Sequence, residues 1–244
     1  MKHFALIGAT LTHSYSKCLF DNQHFPDADY SLCPMASLQR LRAWVADFGI
    51  NGFNVTNPYK QTILPLLDHV DDVAKAIGAV NCVVVEPDGT LVGHNTDAPA
   101  FLHTLDGWLS ASHPPTRGFI LGTGGAAQAV KWAVQQVHIP GILVSRHPEC
   151  HPDAIGYDTF DSLLAQHDTL IVNATPVGTW PNVDRSPLPP LQPSRHILYI
   201  YDLVYNPSPT LLLQQAAAIG AHTHDGLSML TLQAELSWRF WNLR

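Results

Sequence analysis

The feature that most limits what this chain can fold into is a run of small residues in its second half. Gly118–Leu121 is apolar, Gly122-Thr123-Gly124-Gly125-Ala126-Ala127 follows at once, and a helical pattern then continues to about Val137. Strand, Gly-x-Gly-x-x-Ala turn and helix in that order describe a dinucleotide-binding unit. The first glycine permits the tight turn, and the second lets a pyrophosphate approach the backbone. The third small residue lets the helix pack on the strand, and the helix N-terminus stabilises the anion. Ordinary helix–strand packing also favours small residues, so the strand-to-helix context is what gives the motif its weight. Gly122, Gly124, Gly125, Ala126 and Ala127 are the cofactor-binding candidates it supplies.

Apolar runs at Gly141–Ser145, Thr169–Val172 and Leu198–Leu203 read as further buried parallel strands. The second half is therefore expected to be a Rossmann-type, doubly wound domain. About 20 residues beyond the glycines, the next strand should end where the cofactor's ribose is read. Ser145-Arg146-His147 stands there, with no acid at the tip. An acid would bind a ribose 2′-hydroxyl and an arginine would accept a 2′-phosphate, so Ser145 and Arg146 favour NADP over NAD. The bland alternative is that Arg146 is one more solvated surface charge.

The first hundred residues also alternate between strand and helix patterns, and read as α/β. Phe4–Gly8 and Gly52–Val55 are expected strands, and Ser16–Phe25, Leu38–Phe48 and Asp72–Ile77 expected helices. Asn81–Glu86 and Leu91–Gly93 flank Pro87-Asp88-Gly89, a hairpin by its turn chemistry. A helix from Asp97 to Leu109 leads to a breaking loop, Ser112–Thr116. Thr210–Ile219, ending at Gly220, and Leu227–Asn242 are the closing helices, and Pro-rich Ser186–Ser194 is an extended loop.

Composition excludes several classes. Thirteen Lys+Arg against 20 Asp+Glu give a net charge of -7, and no dense basic run suggests a nucleic-acid partner. An anionic ligand must therefore be drawn in by local groups. No apolar run reaches the roughly 20 residues of a membrane span, and no signal segment opens the chain. Four cysteines, Cys18, Cys33, Cys82 and Cys150, form no C-x-x-C pair. A soluble cytoplasmic protein with reduced thiols is the expectation. Among 14 histidines the tightest grouping is His147, Cys150 and His151. It reads as solvated loop, without a second ligand pair at zinc-like spacing, and no metal is expected. Neither a G-x-S-x-G elbow nor a phosphate-cleaving P-loop occurs.

Several short motifs stand in series: His13-Ser14-Tyr15-Ser16, Asn54-Val55-Thr56-Asn57-Pro58-Tyr59-Lys60, Gly78-Ala79-Val80-Asn81 and Asn95-Thr96-Asp97. After the glycine loop come Asn173-Ala174-Thr175-Pro176-Val177-Gly178, Asp202-Leu203-Val204-Tyr205-Asn206-Pro207 and Asp225-Gly226-Leu227-Ser228-Met229-Leu230, with Gln233-Ala234 beyond. In this order and spacing the chain resembles the shikimate dehydrogenases over essentially its full length.

The resemblance implies an N-terminal substrate domain with a mixed sheet, a Rossmann domain and a cleft between them. It places the substrate domain at residues 1–97, the dinucleotide domain at 98–224, and a C-terminal helix, about 225–244, packing back on the first. It implies reduction of 3-dehydroshikimate to shikimate with NADPH, in the pathway to aromatic amino acids, without a metal, in a monomer or homodimer.

Residue roles follow from the resemblance. Lys60 and Asp97 resemble the catalytic pair. Ser14 and Ser16 resemble the hydroxyls that hold the substrate carboxylate, with Tyr205 beside them. Thr56, Asn81 and Gln233 resemble ligands of the ring hydroxyls. Asn173 and Thr175 resemble the loop under the cofactor, and Gly226 and Met229 the segment near the nicotinamide. The chemistry is consistent, because hydroxyls and amides both donate and accept, as a polyhydroxylated ring requires. A lysine ammonium can protonate a ketone oxygen as hydride arrives.

Each role has an ordinary counterpart. Lys60 could be a surface lysine, Asp97 a helix cap, Ser14 and Ser16 capping hydroxyls, Met229 core and Gln233 solvated. The chain departs from the family pattern at Lys17, Phe20 and Asp21, where many members carry Pro and His-Asn. It departs again at Ala100, and at Cys150 and His151, where a second basic residue is common. A quinate/shikimate dehydrogenase using NAD or NADP is the neighbouring reading. A non-catalytic ligand sensor on the same fold is the reading from another class, and it would be expected to have lost Lys60 or Asp97.

Overall fold

The structure, a computed structural model, describes residues 1–11, 14–109, 113–193 and 196–243. His13, Ser112 and Ser194, which belong to the motif and the loops above, lie outside the described residues. The chain divides into two compact units, Met1–Ala100 with Leu230–Arg244, and Phe101–Met229.

In the first unit the elements are β1 (Lys2–Gly8), α1 (Tyr15–Gln23), β2 (Ala28–Pro34), α2 (Leu41–Asp47), β3 (Ile50–Val55), α3 (Tyr59–Thr62), β4 (His69–Val70), α4 (Asp72–Ile77), β5 (Cys82–Val85) and β6 (Leu91–His94). The sheet order is β2-β1-β3-β5-β6-β4. β1 runs parallel to β2 and β3, while β5 is antiparallel to both β3 and β6, so the sheet is mixed. The helix ends follow local rules. Asp71 accepts from the Ala74 amide at 2.6 Å to start α4, and Gly78 at φ 73° ends it. The β5–β6 hairpin forms as its turn residues predict.

α5 (Asp97–Asp106) crosses from the first unit to the second. It stops before Leu109, three residues short of the expected end. The second unit continues with β7 (Arg117–Leu121), α6 (Gly125–Gln136), β8 (Gly141–Val144), β9 (Ala154–Ile155), α7 (Tyr157–Leu164), β10 (Thr169–Asn173), β11 (Ile197–Asp202), α8 (Leu211–Ala218), β12 (His222–His224) and the start of α9 (Leu227–Phe240). Its strand order is β12-β11-β10-β7-β8-β9, all parallel. That is the doubly wound dinucleotide order, with its switch point between β7 and β10. The central strands β7, β10 and β11 are apolar and buried, as continuous apolar runs predict.

From Leu230 onward α9 belongs to the first unit. Trp238, Trp241 and Ala234 join Phe4, Leu6, Phe20, Tyr30 and Cys82 in one core. Trp241 stacks on Phe4 with ring centroids 4.6 Å apart, and its indole N–H donates to the Val83 carbonyl at 3.0 Å. A large amphipathic ring with its one donor satisfied anchors the helix. Among the described residues no helix is long and apolar enough to cross a membrane.

Four strands carry less sequence signal than their neighbours. β2 alternates polar and apolar residues and ends in Pro34, yet pairs with β1 from Lys2↔Ala28 to Gly8↔Pro34. It forms because β1 offers an edge. β9, β12 and β4 are two or three residues long and exist only through pairing with a neighbour.

Gly226, at the start of α9, is buried against the end of β11. A Cβ there would collide with the Leu203 carbonyl oxygen and lie 2.6 Å from the carbonyl carbon. Backbone cannot swing aside as a side chain can. Gly226→Ala is expected to lower the unfolding free energy by about 1–3 kcal/mol. Urea denaturation checks this, and an unchanged midpoint would show that the two segments separate at little cost.

Candidate active site

Register places four chain segments at one edge of the first sheet. Ile7 pairs with Val55, Asn54 with Cys82, and Cys82 with His94. The C-terminal ends of β1, β3 and β6 and the N-terminal end of β5 therefore coincide. The segment after β1 carries Ser14, that after β3 carries Thr56 and Lys60, that before β5 carries Asn81, and that after β6 carries Asp97. An antiparallel hairpin added to parallel strands is what gathers residues so separated in sequence.

Lys60 Nζ donates to Asp97 Oδ2 at 2.7 Å, with the side chains only 18% and 8% exposed. Attraction between partners so shielded is little screened by salt. Asp97 is free to make this bond because it does not cap its own helix. Asn95 Oδ1 accepts from the Ala98 amide at 3.0 Å instead, while Asn95 Nδ2 donates to the Ala79 carbonyl at 2.9 Å.

Behind the pair lies a buried polar network. Asn81 Nδ2 donates to Thr96 Oγ1 at 2.9 Å, and Asn81 Oδ1 accepts from the Thr96 amide at 2.7 Å. Thr96 Oγ1 is 3.3 Å from Ser237 Oγ and 3.5 Å from Gln233 Oε1. Asn54 Nδ2 donates to Ser237 Oγ at 3.0 Å and to the Asn81 carbonyl at 3.1 Å, and Tyr30 donates to Asn54 Oδ1 at 2.9 Å. Each member is satisfied by another, as burial demands. The bond to Thr96 uses one of the two Nδ2 hydrogens of Asn81. The bond to the Leu230 carbonyl at 3.0 Å likewise uses one Nε2 hydrogen of Gln233.

In the second unit, loops at the C-terminal edge of the parallel sheet enclose a pocket of about 320 Å³. Its lining includes Gly122, Thr123, Gly124, Ser145, Arg146, His151 and Thr175. Gly122 has φ 113°, which favours glycine, and a Cβ there would press on Thr175 and Ala174. At Gly124 a Cβ would meet nothing within 4 Å, so the backbone faces open space at the head of α6. Asn173 ties the Thr175 loop down. Its Oδ1 accepts from the Thr175 amide at 3.0 Å and hydroxyl at 2.6 Å, and its Nδ2 donates to Asp202 Oδ1 at 2.8 Å. Asp202 also accepts from the Val204 amide at 3.0 Å and the Thr210 hydroxyl at 2.7 Å. Burial pushes the Asp202 carboxyl up to about 6 despite these three donors.

A family model described as the shikimate dehydrogenase substrate binding domain matches residues 6–83. The chain is 34% identical to shikimate dehydrogenase (NADP(+)) of Chlorobium chlorochromatii, over 98% of this chain and 90% of that protein. The chain belongs to the shikimate dehydrogenase family. Among solved structures, shikimate 5-dehydrogenase from Thermus thermophilus in complex with NADP(H) and shikimate aligns at TM-score 0.81. It is 31% identical, over 99% of this chain and 93% of that one. Quinate dehydrogenase from Corynebacterium glutamicum in complex with NAD aligns at TM-score 0.80. It is 27% identical, over 98% and 93% of the two chains.

Set against the family resemblance, Lys60, Asp97, Asn81 and Gln233 meet through the pair and network of the first unit. Ser14 begins α1, its Oγ accepting from the Lys17 amide at 3.4 Å, and Ser16 is half-buried one position inside the helix. Lys17 is paired with Asp21 at 2.8 Å, so two of the departures from the family pattern compensate each other. Thr56 is half-buried just after β3. Tyr205, half-buried, and Met229, buried, lie in the second unit. Ala127 is buried in α6, and Gly125 and Ala126 are partly exposed in its first turn.

Asn54, Thr96, Ser237 and Asp202 carry structural roles that sequence reasoning did not assign. Asn54, Thr96 and Asp202 at least stand inside the motifs. His151 is an exposed loop residue, as read, and its Nε2 also lies 3.2 Å from Thr123 Oγ1 on the glycine loop, a contact the sequence did not show.

Asp202 has a pH signature. Its carboxyl titrates at about 6 when folded and near 3.8 when the unfolded chain exposes it to water, so the folded form binds the proton more tightly. The residue therefore adds stability as pH falls through 6 towards 4, and adds none well above 6. The stability gap between the parent protein and Asp202→Asn should widen on the order of 1 kcal/mol from about pH 7.5 to about pH 5. Urea unfolding of both proteins at the two pH values measures it. A gap that stays constant would mean that Asp202 is ionised throughout.

Proposed function

We propose that this protein is a shikimate dehydrogenase that reversibly reduces 3-dehydroshikimate to shikimate with NADPH, on the route to aromatic amino acids. The observation that carries the reading is the shielded Lys60–Asp97 pair, set among buried amides at one sheet edge, in a chain akin to these enzymes over its length. We assign the first unit to the substrate and the second to the dinucleotide. The protein acts on small molecules without nucleic acid or membrane, in the cytoplasm, as a monomer or homodimer.

The second unit suits the dinucleotide. Gly122 turns, Gly124 leaves its backbone open, and Arg146 lines the same pocket. Pyrophosphate would lie against Gly122–Ala127 at the head of α6, with Asn173 and Thr175 below and Gly226 and Met229 towards the nicotinamide. Ser145 and Arg146 would take the ribose phosphate. NADPH, when bound, supplies the hydride.

In the first unit Lys60 gives one hydrogen to Asp97 and keeps others on Nζ for the substrate oxygen. It holds a proton where an alkoxide develops, and stabilises that charge. Asp97 orients Nζ. Asn81 and Gln233 offer their remaining amide hydrogens to ring hydroxyls, with Thr56 beside them. Ser14 keeps its hydroxyl proton to donate while its oxygen accepts from α1. Ser14 and Ser16 hold the carboxylate with neutral donors.

The deciding assay follows nicotinamide absorbance with shikimate and quinate, each with NADP+ and NAD+. Shikimate with NADP+ should be turned over fastest. The likeness to a quinate dehydrogenase with NAD makes quinate the competing substrate, and faster quinate oxidation would replace this reading. Lys60→Ala should lower kcat by about 10²- to 10⁴-fold with little change in KM, and an undiminished kcat would remove Lys60 from the chemistry. Ser14→Ala should raise KM for shikimate more than for NADP+, and the reverse order would place Ser14 elsewhere.

A further inference from the structure

The dinucleotide pocket contains an imidazole that the reaction does not use. Arg146, His147 and His151 all line it, together with Tyr157 of α7 and Thr123 of the glycine loop. The two histidines are held differently. His147 Nδ1 lies 3.2 Å from Glu149 Oε1, within its own turn. His151 instead reaches across to the glycine loop, its Nε2 3.2 Å from Thr123 Oγ1. That bond sets the His151 ring at the pocket wall that Arg146 also forms. A 2′-phosphate carries a charge of about -1.5 to -2 at neutral pH, and the single guanidinium of Arg146 offsets only part of it. The protein's net charge of -7 supplies no help from afar.

We propose that His151 is a specificity residue, its imidazolium joining Arg146 on the 2′-phosphate of NADP, so that preference for NADP over NAD weakens as pH rises. The inference rests on the NADP reading above. An imidazole in this place is a conditional cation. A bound phosphate draws a proton onto it, and the ring then turns its N–H from Thr123 to a phosphate oxygen. The titratable and charged groups around it are Arg146, His147, Glu149, Cys150 and Asp153 on its own segment and Tyr157 on α7, and Thr123 faces it from the glycine loop. Glu149 is held below the usual carboxylate range by its own backbone N–H, and then by His147 and His151. Burial pushes Tyr157 up, with Arg146 opposing, so the phenol adds no charge near neutrality. The phosphate's own second ionisation, near 6, works in the opposite sense, because it strengthens binding as pH rises. Weakening with pH is therefore a mark of the protein group.

The test is calorimetric binding of NADP+ and of NAD+ to the full chain from about pH 6.5 to about pH 8.5, in buffers of different ionisation enthalpy. For the parent protein, Kd for NADP+ should rise about tenfold across that range, the scale of one charge-assisted hydrogen bond. NADP+ should bind with net proton uptake, and NAD+ with neither effect. His151→Gln should hold NADP+ weakly at every pH without uptake, and His151→Lys should hold it tightly at every pH without uptake. Retention of the parent slope and uptake in His151→Gln overturns the proposal, as does their loss in His147→Gln instead. Arg146→Asp separates the two levels. If it abolishes the preference for NADP+ while His151→Gln changes nothing, only the role of His151 fails. If the parent protein binds NAD+ as tightly as NADP+ at every pH, the cofactor reading itself fails.

Discussion

A polar group taken out of water must find a partner inside, and the first unit is organised by that requirement. Asn54 on β3, Asn81 before β5, Thr96 before α5 and Ser237 on α9 are all buried, and each answers another. No apolar contact would fix these four segments so closely, because apolar packing has no direction, whereas amides and hydroxyls must meet at defined distances and angles. The network therefore sets where β6 hands over to α5, and so where Asp97 stands. Removing one member would leave its neighbours buried and unanswered, a penalty larger than the net worth of the bond itself.

The ion pair at the surface of this network depends on a division of labour. The start of α5 needs an acceptor, and an aspartate is among the best. Asn95 takes that task, so the Asp97 carboxylate faces Lys60 rather than its own backbone. In the second unit the same logic is repeated with different groups. Asp202 restrains Asn173, which restrains Thr175, so a buried carboxylate at one strand end governs a loop beside the glycine turn.

Much of this was legible in the sequence because the informative residues come in local runs. Glycines between an apolar strand and a helix announce their geometry within ten residues, and the Pro-Asp-Gly turn announces the hairpin. Lys60 and Asp97 were readable only through their motifs, since a lysine and an aspartate have many ordinary uses. Ser237 and Tyr30 were not readable, because their partners are distant in sequence: Ser237 meets Asn54 across 183 positions. β9 and β12 stayed hidden for a related reason. They are strands because a neighbour offers an edge, not because their own residues demand it. The contact of His151 with Thr123 was hidden because spacing cannot show that an exposed loop side chain turns back to a turn 28 positions earlier.

The seat of Trp238 and Trp241 among Phe4, Phe20 and Tyr30 has a temporal consequence. A ribosome delivers the chain from its N-terminus at about 5–20 residues per second. The second unit is contiguous and has all its strands once Met229 has emerged. The first unit, begun earlier, has to wait for Leu230–Arg244, made after the whole of the second unit, before its core can close. During that interval the aromatic face of Phe4 and Phe20 is left uncovered, so the half made first is completed last and has the greater call on chaperones while the chain is being made.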